Sequence, residues 1–217
     1  MPAKRALKIP PPNTSPRDSL PPSDHATVDT VLKELKQSTR RLQDALELHH
    51  VELQVLEKLY YKGNNQHRTA LFWRRVLDIR RFARRLEGAD LYGLMDGVRV
   101  SFWGDETQRN PRILKGSWTC YPDAKTVQTV LRRLIDCHTL VQHMHEHVSK
   151  AHNHFNLEFQ GGAFLQLILT LTAISSRIGM LLTEVIQPAI EQAGQVLYKL
   201  LFFVLHVSGQ LVNTTLH

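Results

Sequence analysis

Cysteine is scarce: Cys120 and Cys137 are the two in 217 residues. Two cysteines exclude a disulfide-rich scaffold, and their spacing fits no zinc motif. A reducing compartment is the easier reading. The chain opens on a Pro-rich stretch without an apolar signal segment, so secretion is not expected. There is no Gly-rich phosphate loop, nucleophile elbow or HExxH pair, so the common signatures of nucleotide, acyl and metallo-hydrolase chemistry are missing. Long apolar runs are few, and the one that stands out is Phe164 to Leu182. Its longest run without charge, Phe159 to Ser176, is diluted by Gly161, Gly162, Gln166, Thr170, Thr172, Ser175 and Ser176. A bilayer span needs about 20 mostly apolar residues, so this stretch reads as a helix buried in a bundle. What is present suits one folded domain: 42% hydrophobic and 22% charged residues.

The charge is unevenly placed. The total is +7, and the 21 residues from Gln66 to Leu86 hold seven arginines against Asp78, a local +6. A diffuse solubility role would not need that concentration.

Seven prolines in residues 1–25 predict an extended or disordered tail, carrying the basic residues Lys4, Arg5 and Lys8. Residues 26–210 are expected to form one helical domain. Val28, Val31, Leu35, Leu42 and Leu46 share one helical face. A second helix is predicted from His50 to Tyr60, with Leu53, Leu56 and Tyr60 inward, broken by Gly63-Asn64-Asn65. A third runs from Gln66 to Leu86. Residues 87–123 carry five glycines and no helical period, which predicts a long irregular connection with a short strand at Val98–Phe102. That segment also sets Trp103, Trp118 and Tyr121 beside Arg99, Arg109, Arg112 and Lys115. A fourth helix starts at Asp123, a cap, with Val127, Val130, Leu134, His138, Val141, His145 and Val148 along its seam. Two apolar segments follow, separated by Pro188. The fold class is therefore all-α, a multi-helix bundle.

The arginine-rich helix carries the chemistry. At about 100° per residue from Leu71, the apolar residues Phe72, Val76, Ile79, Phe82, Ala83 and Leu86 fall between about 20° and 140°. Arg74, Arg80, Arg81, Arg84 and Arg85 fall between about 180° and 320°, with Trp73 in the same arc. Crowded guanidinium groups repel one another, and a polyanion relieves that repulsion and releases counterions. Guanidinium forks suit phosphate, and an exposed indole suits a base. The competing reading is a solvated face neutralised by Glu47, Glu52 or Glu57. Ahead of this helix, Asn64, Asn65, Gln66 and His67 offer polar groups at a helix N-terminus, for phosphate or for ordinary capping.

The run Leu59-Tyr60-Tyr61-Lys62-Gly63-Asn64-Asn65-Gln66-His67-Arg68, followed by Leu71-Phe72-Trp73-Arg74-Arg75 and Arg80-Arg81, resembles the nucleolus and neural progenitor protein (Nepro) family. It is also similar to the RNA-binding domain of the RNase MRP-specific helical subunit of fungi. Leu131–Cys137 and Ser175-Ser176-Arg177-Ile178 extend the likeness over residues 27–207. The resemblance implies a non-catalytic helical RNA-binding subunit of a nucleolar ribonucleoprotein, RNase MRP, acting on precursor ribosomal RNA. Its implied contacts are Asn65, Gln66, His67, Arg68 and the arginines that follow. Implied partners are structured RNA, namely RNase MRP RNA, and other ribonucleoprotein subunits, with no membrane and no cofactor.

Three other readings compete. Six histidines crowd between His138 and His154. His143 and His147, four apart, have metal-ligand spacing, but His138, His145 and His152 are too far apart to share an ion, and no metal site is expected. His67 among arginines is reminiscent of acid–base cleavage of RNA, but no partner acid stands at a defined spacing, so no catalytic residue is assigned. A helical protein–protein scaffold in ribosome biogenesis, without RNA contact, is the alternative to RNA binding.

Overall fold

A computed structural model describes residues 13–104, 114 and 116–214. The first twelve residues of the expected tail, and Arg109, Arg112 and Lys115, lie outside the described residues. The all-α expectation is met. Six helices carry the fold: α1 (His25–His67), α2 (Leu71–Gly88), α3 (Leu91–Val100), α4 (Ala124–Gln160), α5 (Leu165–Met180) and α6 (Gln187–Thr214). Two three-residue strands, β1 (Thr14–Pro16) and β2 (Cys120–Pro122), pair antiparallel with Ser15 opposite Tyr121. The residues gather into two units. One comprises Met1–Leu42, Asp90–Ile135 and Glu191–His217, the other Gln43–Ala89 and Asp136–Ile190.

In the first unit, residues 14–24, which include Pro16, Pro21 and Pro22, form β1 and two short 3-10 turns, so this later part of the expected tail takes defined structure. The β1–β2 pairing is extended by Arg17 N–H to Thr119 O (2.8 Å) and Asp123 N–H to Asn13 O (2.9 Å). Trp118 anchors it. Its ring lies under the Arg17 guanidinium at 4.5 Å, and its indole N–H donates to Asp29 at 2.9 Å. Trp118 and Tyr121 are buried, so they present no surface for a base.

The connection 87–123 is also more regular than its glycines predict. Residues 98–100, expected as strand, belong to α3. Asp90, at φ 46°, caps this helix by accepting from the Gly93 N–H, and a Cβ on Gly93 would collide with that carboxylate. The buried residues Leu91, Met95, Val98 and Phe102 recur at three and four. Val98 and Phe102, four apart, satisfy both periods, and the longer pattern decides.

The two helices expected before the arginines are one. Val28, Val31, Leu35, Leu42, Ala45, Leu53 and Leu56 are buried along α1, which continues through Gly63-Asn64-Asn65 to His67. The turn lies at residues 68–70, where Arg68 N–H donates to Asn64 O and Ala70 N–H to His67 O. The predicted cap of α4 is present: Asp123 Oδ1 accepts from Thr126 N–H at 2.9 Å. Its seam is Val127, Val130, Leu134, Cys137, Val141, Met144, Val148, Ala151 and Phe155. His138 and His145 are half-buried beside that seam rather than on it.

Pro188 does not break the last helical segment. A π-helical stretch, Leu181–Ile186, precedes it, so Pro188 enters within the first turn of α6. The widened turn re-registers the carbonyls at the point where proline lacks its N–H. Leu165–Val207 is long and apolar enough to cross a membrane by length and composition, with mean hydropathy 1.6 in its most apolar window. Of that window 33% is buried, less than the sequence reading of a helix sunk in the bundle implies.

His49 sits on the inward face of α1, 1% exposed, with no hydrogen-bond partner for Nε2. Burial lowers its pKa; the Glu87 carboxylate opposes this and His50 reinforces it. The neutral ring is therefore the folded form. A depressed folded pKa gives stability that is intact above the unfolded value of 6.5 and is lost as pH falls toward the folded value. Urea midpoints measured at pH 7.5, 6.5 and 5.5 should fall below pH 6.5. The His49→Leu chain should lack that fall and be level or better at neutral pH, since an unsatisfied buried nitrogen is removed. An identical pH profile for the two would contradict the assignment.

Candidate nucleic-acid interface

The arginine helix α2 and the end of α1 lie together in the second unit. The inward residues of α2 are Phe72, Trp73, Val76, Ile79, Arg80, Ala83 and Leu86. At about 100° per residue that arc runs from about 60° to 200°, rotated from the expected one. The rotation has a cause. α1 packs on the side of Trp73 and Arg80, and Leu71 is left 52% exposed.

Four expected contacts are withdrawn from the open surface. Trp73 is 2% exposed; it stacks on Tyr60 (centroids 5.6 Å, 10° between planes) and donates through Nε1 to Asn64 Oδ1 at 3.3 Å. It is a core residue and not a platform for a base. His67 is buried among Phe72, Trp73 and Phe164, with ring centroids 5.4, 5.5 and 4.7 Å away. Arg80 is 7% exposed; its guanidinium lies 3.3 Å over the Tyr60 ring and donates to Glu57 Oε2 at 2.6 Å. Asn64 is half-buried under Trp73, so it serves the fold. The helix N-terminus moves as well. α2 starts at Leu71, and Asn65 and Gln66 are in the last turn of α1, so neither caps it.

The remaining residues stay at the surface. Asn65, Gln66, Arg68, Arg74, Arg81, Arg84 and Arg85 are all exposed. Two carboxylates serve this cluster. Glu57 takes Arg80 and also Arg84, whose Nε and Nη2 donate at 3.1 Å. Asp78 lies 3.6 Å from Arg81 and 4.0 Å from Arg75. Arg68 and Arg74 have no acidic partner among the described residues. Burial pushes the Glu57 carboxyl up, but hydrogen bonds from Arg80 and then Arg84 outweigh it and hold the group below the usual carboxylate value. The acids are used up locally while four guanidinium groups on α2 still face water.

One exposed aromatic residue lies outside the expected set. Tyr61 is 87% exposed, between the exposed Lys58 and Asn65 on the outer face of α1. The signal was present: with Leu53, Leu56 and Tyr60 turned inward, a 3.6-residue period forces Tyr61 outward. It supplies the open aromatic ring that Trp73 does not.

No group of three His, Cys, Asp or Glu side chains is placed to hold a metal ion among the described residues. His145 and His152 instead line an open groove of about 320 Å³ with Ser149, Asn153, Ser175 and Ser176.

No curated protein and no solved structure matches the chain. The family model described as nucleolus and neural progenitor protein, N-terminal, matches residues 4–201, and the chain belongs to that family.

Proposed function

We propose that the chain is a non-catalytic RNA-binding subunit of a nucleolar ribonucleoprotein, RNase MRP, acting in precursor ribosomal RNA processing. The family's name implies a nucleolar role and nucleolar localisation. The resemblance of residues 59–81 to the RNase MRP-specific helical subunit supports the narrower assignment. The observation that carries RNA binding is the outer face of α2. Arg74, Arg81, Arg84 and Arg85 are exposed there, and their nearest carboxylates are already shared with Arg75 and Arg80. Tyr61, Asn65, Gln66 and Arg68 add a stacking ring and polar donors at the end of α1. Catalysis would belong to the RNA and its metal ions.

The test is filter binding of the full chain to a structured RNA over a series of salt concentrations. Each phosphate contact contributes about 0.7–0.9 to the slope of log affinity against log salt. The Arg74→Ala, Arg81→Ala, Arg84→Ala, Arg85→Ala chain should lose up to about 3 from that slope and bind weakly even in dilute salt. Arg80 is left intact because its removal would test the fold instead.

A second reading is favoured by the first unit. Tyr198 (65% exposed), Phe202 (68%) and Leu205 (54%) form a stripe on α6. It borders a groove of about 430 Å³ lined by Val31, Phe203 and the Glu34–Lys199 ion pair. Such a stripe suits docking on a protein partner. A salt slope unchanged by the four alanines would favour this scaffold reading.

A further inference from the structure

We propose that the RNA-contacting surface continues from α2 onto α4, with His143, His147 and Lys150 as its second strip. This rests on the RNA-binding reading above. The bridge between the helices is Phe82. Its ring lies 4.5 Å from the His147 ring at 33°, and the Arg85 guanidinium carbon lies 5.6 Å from the same ring. One phenyl group therefore joins a cation of α2 to an imidazole of α4.

The α4 side of this bridge is equipped for a polyanion. At about 100° per residue, His143, His147 and Lys150 fall within about 60° of one another. His143 and Lys150 are exposed, His147 is half-buried against Phe82, and none of the three has an acidic partner among the described residues. Glu146, one turn before Lys150 and three residues after His143, borders the strip but forms no ion pair with either among the described residues. Lys150 supplies a point charge for a phosphate. The imidazoles supply N–H donors for phosphate or 2′-hydroxyl oxygens and a flat ring against which an unstacked base rests. The ligand class is RNA with a single-stranded segment, its backbone passing from Arg81 and Arg85 across Phe82 to Lys150.

The experiment uses the full chain and a fluorescently labelled uridine oligoribonucleotide, read by anisotropy over a salt series. Three proteins are compared: the parent, Arg81→Ala with Arg85→Ala, and His143→Ala with His147→Ala and Lys150→Gln. The α4 variant should bind at least about fivefold more weakly, with the salt slope reduced by about 0.7. If its melting curve shows a loss of fold, His143→Ala with Lys150→Gln replaces it, both residues being exposed, and must give the same fall in slope. Parent-like affinity and slope in the α4 variants, with both reduced in the α2 variant, would overturn the second strip and leave the RNA-binding reading standing. No salt-dependent binding by the parent would remove both. Tighter binding of poly-glutamate than of the oligoribonucleotide, lost in the α4 variant, would make the strip a protein contact and overturn the proposal.

Discussion

Glu57→Leu should lower the stability of the chain by about 2–3 kcal/mol, because it strands a buried guanidinium. Arg80 has 8% of its side chain exposed, and Glu57 Oε2 accepts its hydrogen bond at 2.6 Å. Its Nε already lacks a partner, so Glu57 and the Tyr60 ring are what compensate the charge. Removing one member of a buried pair leaves the other desolvated, which costs about 3–5 kcal/mol in a fully enclosed site. Glu57 is 30% exposed, so the lower end applies. For a chain of this size the loss corresponds to a melting temperature lower by about 5–10 °C. Arg84→Ala, which removes the exposed arm of the same cluster, should cost under about 1 kcal/mol. Glu57→Leu combined with Arg80→Met should recover much of the loss, since an apolar pair leaves no charge to satisfy. The pH dependence has a definite sign. The Glu57 pKa is held down in the fold, so its contribution is present above the unfolded value of 4.5 and is lost as pH falls through the folded value. Glu57→Gln should flatten the acid limb of the stability curve below about pH 4.5. Melting temperatures of Glu57→Leu and Arg84→Ala that agree within error would show that Arg80 does not depend on this carboxylate.

The same cluster shows where sequence reasoning reached and where it stopped. A period of 3.6 located α1, α2 and α4 because each buries a stripe of aliphatic residues, and Asp123 was legible as a cap because its role is local. The direction of the α2 face was not legible. Trp73 and Arg80 lie within about 20° of each other on the helix wheel, and periodicity places both at the edge of the polar arc. What turns them inward is Tyr60, 13 residues before Trp73, and Glu57, 23 residues before Arg80, and a charge pattern does not say which acid reaches which arginine. Asn64 was misassigned for the same reason, as its partner Trp73 is on the next helix. The N-terminal prolines misled in a different way. Proline excludes helix but tolerates an edge strand, and Pro16 and Pro122 both sit in a two-stranded pairing that needs few backbone donors.

Gly63→Val should destabilise the chain by about 2–3 kcal/mol, although glycine is a poor helix former and a helical Gly→X change ordinarily helps. The break expected at Gly63-Asn64-Asn65 does not occur, and the reason is across the helix interface. A Cβ at position 63 would lie 2.5 Å from Cη2 and 3.0 Å from Cζ2 of Trp73. The outer edge of the indole's six-membered ring lies against the bare backbone of α1 at Gly63. It cannot rotate away, because Tyr60 stacks on it and Asn64 holds its N–H. The glycine is thus the absence that lets the largest side chain of α2 seat against α1. Its helix penalty of about 1 kcal/mol is offset by burial of an aromatic ring. Gly194 provides the contrast, lying in α6 with open space where a Cβ would go. Gly194→Ala should stabilise by about 0.5–1 kcal/mol, and Gly63→Ala should not. Urea unfolding followed by tryptophan emission reads both effects, since displacing Trp73 also changes its emission in the folded chain. If Gly63→Ala stabilised the chain as much as Gly194→Ala, the close seating of Trp73 against α1 would be wrong.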